Sequence, residues 1–160
     1  MRVHLGSDHA GFELKTHLVE QLRLGGHDVV DHGPLELDPL DDYPPYCLRT
    51  ALAVVAEPGS LGVVIGGSGN GEAIAANKVE GVRAALAWND DTASLGRAHN
   101  DANVVAIGAR MHSLDEAGRL VERFLTTPFS GDPRHARRIG MLEHYESTGE
   151  LPELPSEPTL

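Results

Sequence analysis

The sequence predicts an α/β protein built on one five-stranded, parallel, doubly wound sheet. Short apolar runs alternate with segments whose apolar residues recur at helical spacing, as in chains where each strand is followed by a helix. The apolar runs are nearly continuous, which is typical of parallel strands covered by helices on both faces. A chain of 160 residues also has the usual size of one such domain.

Local signals along the chain set the predicted elements. The five strands span residues 3–6, 27–31, 61–65, 83–88 and 103–108. The six helices span about residues 12–24, 44–56, 73–78, 90–99, 114–125 and 133–147. Ser113 and Glu116 form a capping-box pattern, and Pro133 suits the first turn of the last helix. We therefore expect a single domain over residues 1–147 and an irregular, proline-rich tail over residues 148–160.

Composition excludes several classes of function. The net charge of −11 opposes binding to nucleic acid and to anionic membranes. The single cysteine, Cys47, excludes an internal disulfide framework and fits a small apolar helix residue. No His or carboxylate spacing matches a metal site, so we expect no metal. Because the chain lacks a long apolar run and a signal-peptide pattern, we expect a cytoplasmic protein.

A glycine-rich turn, Gly66–Glu72, follows the third predicted strand and opens a helix. Glycines and a helix N-terminus bring backbone N–H groups close to an anionic ligand, and Glu72 adds a carboxylate in the first helical turn. The turn matches neither the dinucleotide-binding nor the Walker A spacing, so nucleotide cofactors are disfavoured. It suggests an enzyme that moves protons on a small anion, although the same pattern also fits a glycine turn with a helix-capping Glu.

Polar residues follow three of the predicted strands. Asp8 and His9 follow the first strand, the glycine turn follows the third, and Arg110 follows the fifth. Ligands of doubly wound sheets bind beyond the carboxyl ends of the strands, so we expect these residues to share one edge. The alternative for Asp8 and His9 is a turn Asp beside a surface His.

Basic residues near the C-terminus suggest a phosphate site. Arg134 and Arg138 are four residues apart and therefore share a helix face, where two guanidinium groups suit a phosphate. The alternative is a solvated helix surface. His99 fits either a partner for the dipole at a helix C-terminus or a general acid, and the sequence leaves both open.

The motifs together resemble the type B ribose-5-phosphate isomerases, which belong to a sugar-phosphate isomerase family that also includes galactose-6-phosphate isomerase subunits. The similarity covers about residues 1–147 and is nearest to the actinobacterial branch. It is carried by segments 6–11, 42–44, 66–72, 75–78, 98–100, 108–110 and 134–138. The resemblance implies a Rossmann-like, three-layer α/β/α fold with neither cofactor nor metal. It also implies a dimer or tetramer with its active sites between subunits.

The resemblance further implies the interconversion of ribose 5-phosphate and ribulose 5-phosphate in the non-oxidative pentose phosphate pathway. Many members carry a cysteine base where this chain has Ser68, and the branch that it resembles uses the glutamate at Glu72 instead. His99 would act as the acid in ring opening, together with Asp8. Helix-dipole and amide contacts lead us to expect an ionised Glu72 at neutral pH.

The resemblance assigns the other site residues to substrate binding. The phosphate would be held by His9, Arg110, Arg134 and Arg138. The sugar oxygens would be held by Gly67, Ser68, Gly69, Asn70, Gly71 and Asn100, with Tyr43 and His135 lining the site. Two alternatives remain: isomerisation of a four- or six-carbon aldose phosphate, and a non-catalytic module that binds phosphate or nucleotide.

Overall fold

A five-stranded parallel sheet forms the centre of the protein, as predicted. The computed structural model describes residues 1–154. The strands are β1 (Arg2–Ser7), β2 (Asp28–Asp31), β3 (Leu61–Gly66), β4 (Ala84–Leu86) and β5 (Val104–Gly108). The helices are α1 (Phe12–Leu24), α2 (Tyr43–Ala56), α3 (Asn70–Ala76), α4 (Asp90–Asn100), α5 (Leu114–Thr126) and α6 (Pro133–Thr148). A 3₁₀ turn, His9–Gly11, joins β1 to α1.

The strand order is β2-β1-β3-β5-β4, and all neighbouring strands are parallel. Helices α1, α4 and α5 cover one face and share a core with β1, β3 and β5. Helices α2 and α3 cover the other face. Every residue of β3 and β5 is buried, which confirms the expectation from their continuous apolar sequences. The Rossmann-like three-layer fold is therefore confirmed, and the strand order reverses direction between β1 and β3.

The predicted bounds of two elements differ from the structure by one to three residues. Strand β4 is shorter than residues 83–88, because the amides of Trp88 and Asn89 donate to Thr92 Oγ1 and start the cap of α4 instead. Helix α3 begins at Asn70 rather than near residue 73, since Gly69 takes up a positive φ of 82° and accepts the amide hydrogen of Ala73. Glu72 consequently lies in the first turn of α3.

The predicted capping box of α5 is present between Ser113 and Glu116. Helix α6 ends at Thr148, and the exposed segment 149–154 lies outside the helices and strands. Pro155 and Pro158 of the predicted tail lie outside the described residues. The division of the chain at residue 147 stays a prediction. Over residues 1–154, no helix is long and apolar enough to cross a membrane.

Candidate active site

The carboxyl ends of β1, β3 and β5 meet at one edge of the sheet, as predicted from their polar residues. β3 lies between β1 and β5, with Ser7 opposite Ile65 and Gly66 opposite Gly108. The chain continues from these ends into Asp8, the glycine turn and Arg110. The reversal of strand order between β1 and β3 makes this edge the expected ligand crevice of a doubly wound sheet.

Glu72 is a buried carboxylate at this edge, with 4% of its surface exposed. Its side chain turns back against the end of β3, where a Cβ atom at Gly66 would collide with the carboxylate. Gly69 is needed for a different reason. It has a positive φ, and a Cβ atom there would also lie 2.6 Å from the Leu86 side chain. The glycines of the turn therefore make room for Glu72 and for a tight entry into α3.

Burial adds to the amide contacts that the sequence led us to expect around Glu72. Burial raises the pKa of this carboxyl group, and the nearby Asp8 carboxylate raises it further. Hydrogen bonds from the backbone amides of Gly69 and Glu72 lower the pKa, as expected, but burial outweighs them. A carboxylate with a raised pKa is a stronger base than an exposed one, which suits it to remove a proton from carbon.

Asp8 is held rigidly where β1 ends. Its Oδ1 accepts hydrogen bonds from the amides of Ala10 at 3.0 Å and Gly11 at 3.3 Å. The side chain is buried, and its charge affects the pKa of both Glu72 and Cys47. Asp8 and Glu72 thus form a pair of neighbouring carboxylates.

Cys47 lies on α2, as predicted for a small apolar helix residue, and it is fully buried. Burial is the main reason why the pKa of its thiol is raised, and the charges of Glu72 and Asp8 add to the effect. A thiol in this environment stays protonated and is a poor nucleophile. Ser68 stands in the glycine turn itself, where its Oγ accepts from the amide of Asn70 at 3.3 Å.

Tyr43 and Arg110 flank the turn on its two sides. The Tyr43 ring packs so closely on Gly71 that a Cβ atom there would lie 2.8 Å from its Cζ. The Arg110 side chain passes Gly67, and its backbone amide donates to the Gly67 carbonyl at 3.1 Å. The structure therefore brings together Asp8, His9, Tyr43, the turn with Glu72, and Arg110.

The remaining predicted site residues lie at the opposite edge of the sheet. Helix α4 begins beside the carboxyl end of β4 and runs back for eleven residues, or about 16 Å, to Asn100. There the Asn100 carbonyl accepts from Nε of Arg83, just before β4 begins, at 2.9 Å. His99 and Asn100 are thus separated from Glu72 within one chain.

His99 packs against His135 of α6, with ring centroids 4.1 Å apart. His135 is buried, its Nδ1 lies 3.1 Å from Ser130 Oγ, and burial lowers its pKa. Arg134 and Arg138 are exposed on the same helix, and Arg134 pairs with Asp132 at 3.2 Å. One edge therefore holds the carboxylates and the glycine turn, and the other holds two imidazoles and an arginine pair.

The sequence interpretation missed Asp41, which belongs to the first edge. Its Oδ1 accepts from the His9 amide at 2.7 Å and lies 3.0 Å from His9 Nδ1. Asp41 stands in an exposed polar loop with no helical or strand periodicity, so no pattern distinguishes it from its neighbours Asp38 and Asp42. Within residues 1–154, no cluster of His, Cys, Asp and Glu is suited to hold a metal ion.

Several curated proteins similar to this chain are named ribose-5-phosphate isomerase B. The protein from Mycobacterium tuberculosis named ribose-5-phosphate isomerase B is 54% identical over 158 residues, which cover 99% of this chain and 98% of that protein. The Mycobacterium leprae protein of the same name is 52% identical and covers 97% of this chain and 96% of its own length. Among solved structures, ribose-5-phosphate isomerase B from Mycoplasma genitalium with bound ribulose-5-phosphate superposes with a TM-score of 0.88 at 38% identity, covering 92% and 97% of the two chains.

The enzyme from Clostridium thermocellum has the same TM-score of 0.88, at 40% identity over 94% of this chain and all of the other. A family model described as Ribose/Galactose Isomerase matches residues 3–142. These similarities confirm the family suggested by the sequence motifs. The chain therefore belongs to the ribose/galactose isomerase family.

Proposed function

We propose that this chain interconverts ribose 5-phosphate and ribulose 5-phosphate through an enediolate, with Glu72 as the base. The observation that carries the proposal is the buried Glu72 carboxylate, with its raised pKa, at the switch point between β1 and β3. The M. genitalium relative with bound ribulose-5-phosphate supports this choice of sugar.

In the proposed reaction Glu72 takes the proton from C2 of the open-chain aldose. The electron pair of that bond moves to the C1 carbonyl, whose oxygen becomes negatively charged. Backbone amides of the turn 67–71 stabilise this oxygen, and one such donor typically contributes roughly 3 kcal/mol. Return of the proton from Glu72 to C1, with transfer of the C2 hydroxyl proton to the C1 oxygen, gives the ketose.

The other residues bind and prepare the sugar in this proposal. During ring opening His99 donates a proton to the ring oxygen as its bond to C1 breaks, and Asp8 acts with it by accepting the proton of the C1 hydroxyl. Arg110, His9, Arg134 and Arg138 hold the phosphate, while Ser68, Asn70 and Asn100 bind sugar hydroxyls. Tyr43 and His135 line the site. Binding of the phosphate supplies binding energy far from the reacting carbons and fixes the position of these carbons.

We further propose a homodimer in which each active site combines the two edges from different subunits. The support is the separation of Glu72 from His99 along α4, because two groups that act on one small sugar cannot lie a helix length apart. A two-fold axis would bring the Glu72 edge of each subunit against the His99 edge of its partner, so that the dimer has two equivalent sites. Exposed Ile74, Trp88 and Met111 lie beside the Glu72 edge and offer apolar surface for the contact. A charged sugar phosphate does not cross membranes unaided, which supports a cytoplasmic location.

The test is an isomerase assay of the purified full chain on four-, five- and six-carbon aldose phosphates, with each ketose product quantified. We expect the highest kcat/KM for ribose 5-phosphate. A higher kcat/KM for another aldose phosphate would identify that sugar as the preferred substrate and leave the proposed reaction unchanged. Conversion of none of them would refute the reaction and favour a non-catalytic phosphate-binding module.

A further inference from the structure

Asp41 makes a close, two-point contact with His9 although 32 residues separate them in the chain. Its Oδ1 accepts from the His9 amide at 2.7 Å and lies 3.0 Å from the ring nitrogen Nδ1. The Asp41 carbonyl oxygen lies 3.1 Å from the same nitrogen. The loop that carries Asp41 is exposed from residue 35 to residue 40, yet only 7% of the Asp41 side chain is exposed.

These contacts fix the hydrogen on the His9 ring. Both groups that face Nδ1 are acceptors, a carboxylate oxygen and a carbonyl oxygen, so Nδ1 must carry a hydrogen. The other ring nitrogen, Nε2, makes no hydrogen bond within residues 1–154, and about a third of the side chain is exposed. The ring is therefore anchored at one nitrogen and open to a ligand at the other.

The charges around the pair favour the imidazolium form of His9. The hydrogen bond to Asp41 is the largest cause of the raised pKa of His9, and the Asp8 carboxylate contributes as well. Tyr46 of α2 and Asp38 of the same loop are further titratable groups beside Asp41. The Tyr46 phenol stays neutral, because burial and then the Asp41 charge raise its pKa. A charged His9 presents an N⁺–H donor at Nε2, the form that binds an anion most strongly.

We propose that Asp41 is the positioning residue for His9. It anchors the ring through Nδ1, so that Nε2 faces the substrate and donates a hydrogen bond to its phosphate. That the group bound by His9 is a phosphate rests on the proposed function. The pairing itself rests on the contacts alone. Asp41 does not touch the substrate; it acts through the orientation and charge of the imidazole, as second-layer carboxylates do for other functional histidines.

The substitution Asp41→Asn tests this role, because it keeps the shape of the side chain and removes its charge. We expect KM for ribose 5-phosphate to rise about tenfold while kcat stays within about twofold, the pattern of lost uniform binding. In the wild type, KM should rise as the pH passes above the pKa of His9, and in Asp41→Asn this rise should begin at lower pH. A purely structural role would change kcat and KM together and leave the position of this rise unchanged, which would overturn the proposal.

The matched control is Asp42→Asn. Asp42 is the adjacent residue and carries the same charge, but it is exposed and its side chain makes no hydrogen bond to the start of α2. Asn is also as good as Asp at a helix N-cap, so this change leaves α2 intact. We expect Asp42→Asn to keep both kinetic constants and the wild-type pH profile. The same KM rise in both variants would mean that general loop charge, and not the His9 contact, is responsible.

A double-mutant cycle isolates the pairing. His9→Asn removes the imidazole, so adding Asp41→Asn to it should cause no further rise in KM. Additive effects of the two substitutions would overturn the proposal.

A titration of the His9 ring by NMR in the free protein needs no substrate. Asp41→Asn should lower the pKa of His9, and the neutral ring should lose its preference for the tautomer with hydrogen at Nδ1. An unchanged titration would again overturn the pairing. If the wild type isomerises no sugar, the proposed function fails, and this titration still decides the role of Asp41.

Discussion

Mixed dimers of two inactive variants, Glu72→Gln and His99→Asn, test whether the two edges of the sheet form one site only between subunits. In one chain these residues are separated by roughly the length of α4, eleven residues or about 16 Å. Proton transfer needs donor and acceptor within about 3 Å, directly or through one water. A site within one chain is therefore incompatible with roles for both residues on the same sugar.

The arithmetic of the mixed dimer follows from this separation. Each mixed dimer contains one site with both native residues and one site that lacks both. Dimers isolated by two different affinity tags should therefore recover about half of the wild-type turnover per dimer, although each parent is nearly inactive. The control is a dimer of two differently tagged Glu72→Gln chains, which should recover nothing. Mixed dimers no more active than their parents would refute the shared site.

Two further predictions concern the Glu72 carboxylate and the neighbouring side chains of His4 and His32. Gly66→Ala places a Cβ atom against the Glu72 carboxylate, so kcat should fall at least about tenfold while the circular dichroism spectrum stays native. The control is Gly140→Ala, where the added atom meets open space, and it should leave kcat unchanged. His4 and His32, with ring nitrogens 3.0 Å apart, both have pKa values lowered mainly by burial. Because the unfolded chain then binds more protons, stability is fully present above about pH 6.5 and is lost as the pH falls toward the folded pKa values. The melting temperature should drop by several degrees between pH 7 and pH 5, and less so in His32→Gln; an equal drop in both proteins would contradict this origin.

The fold was predictable because its signals are local. The buried strands β3 and β5 are continuous apolar runs, and a capping box marks the start of α5. The glycine turn was predictable as well, because a positive φ and a carboxylate packed against a strand end both require glycine. The ends of β1, β3 and β5 could be placed together from the rule for parallel sheets alone.

Other features depend on contacts that no local pattern encodes. The contact of Asp41 with His9 joins a loop to a strand end, and loop acids resemble one another in sequence. The pKa of Glu72 is set by the balance of burial against amide hydrogen bonds, and the depth of burial is a tertiary property. The family resemblance implied active sites between subunits, but the physical reason, that His99 and Glu72 lie at opposite edges, became visible only from the direction of α4 in the assembled sheet.

The most direct test of the central claim, that Glu72 is the base, is the turnover of Glu72→Gln on ribose 5-phosphate. Gln fits the same buried space beside Gly66 but cannot accept the C2 proton. We expect kcat to fall by at least about a hundredfold, while native circular dichroism and substrate binding are retained. Near-normal turnover in this variant would contradict the role of Glu72 and the mechanism built on it.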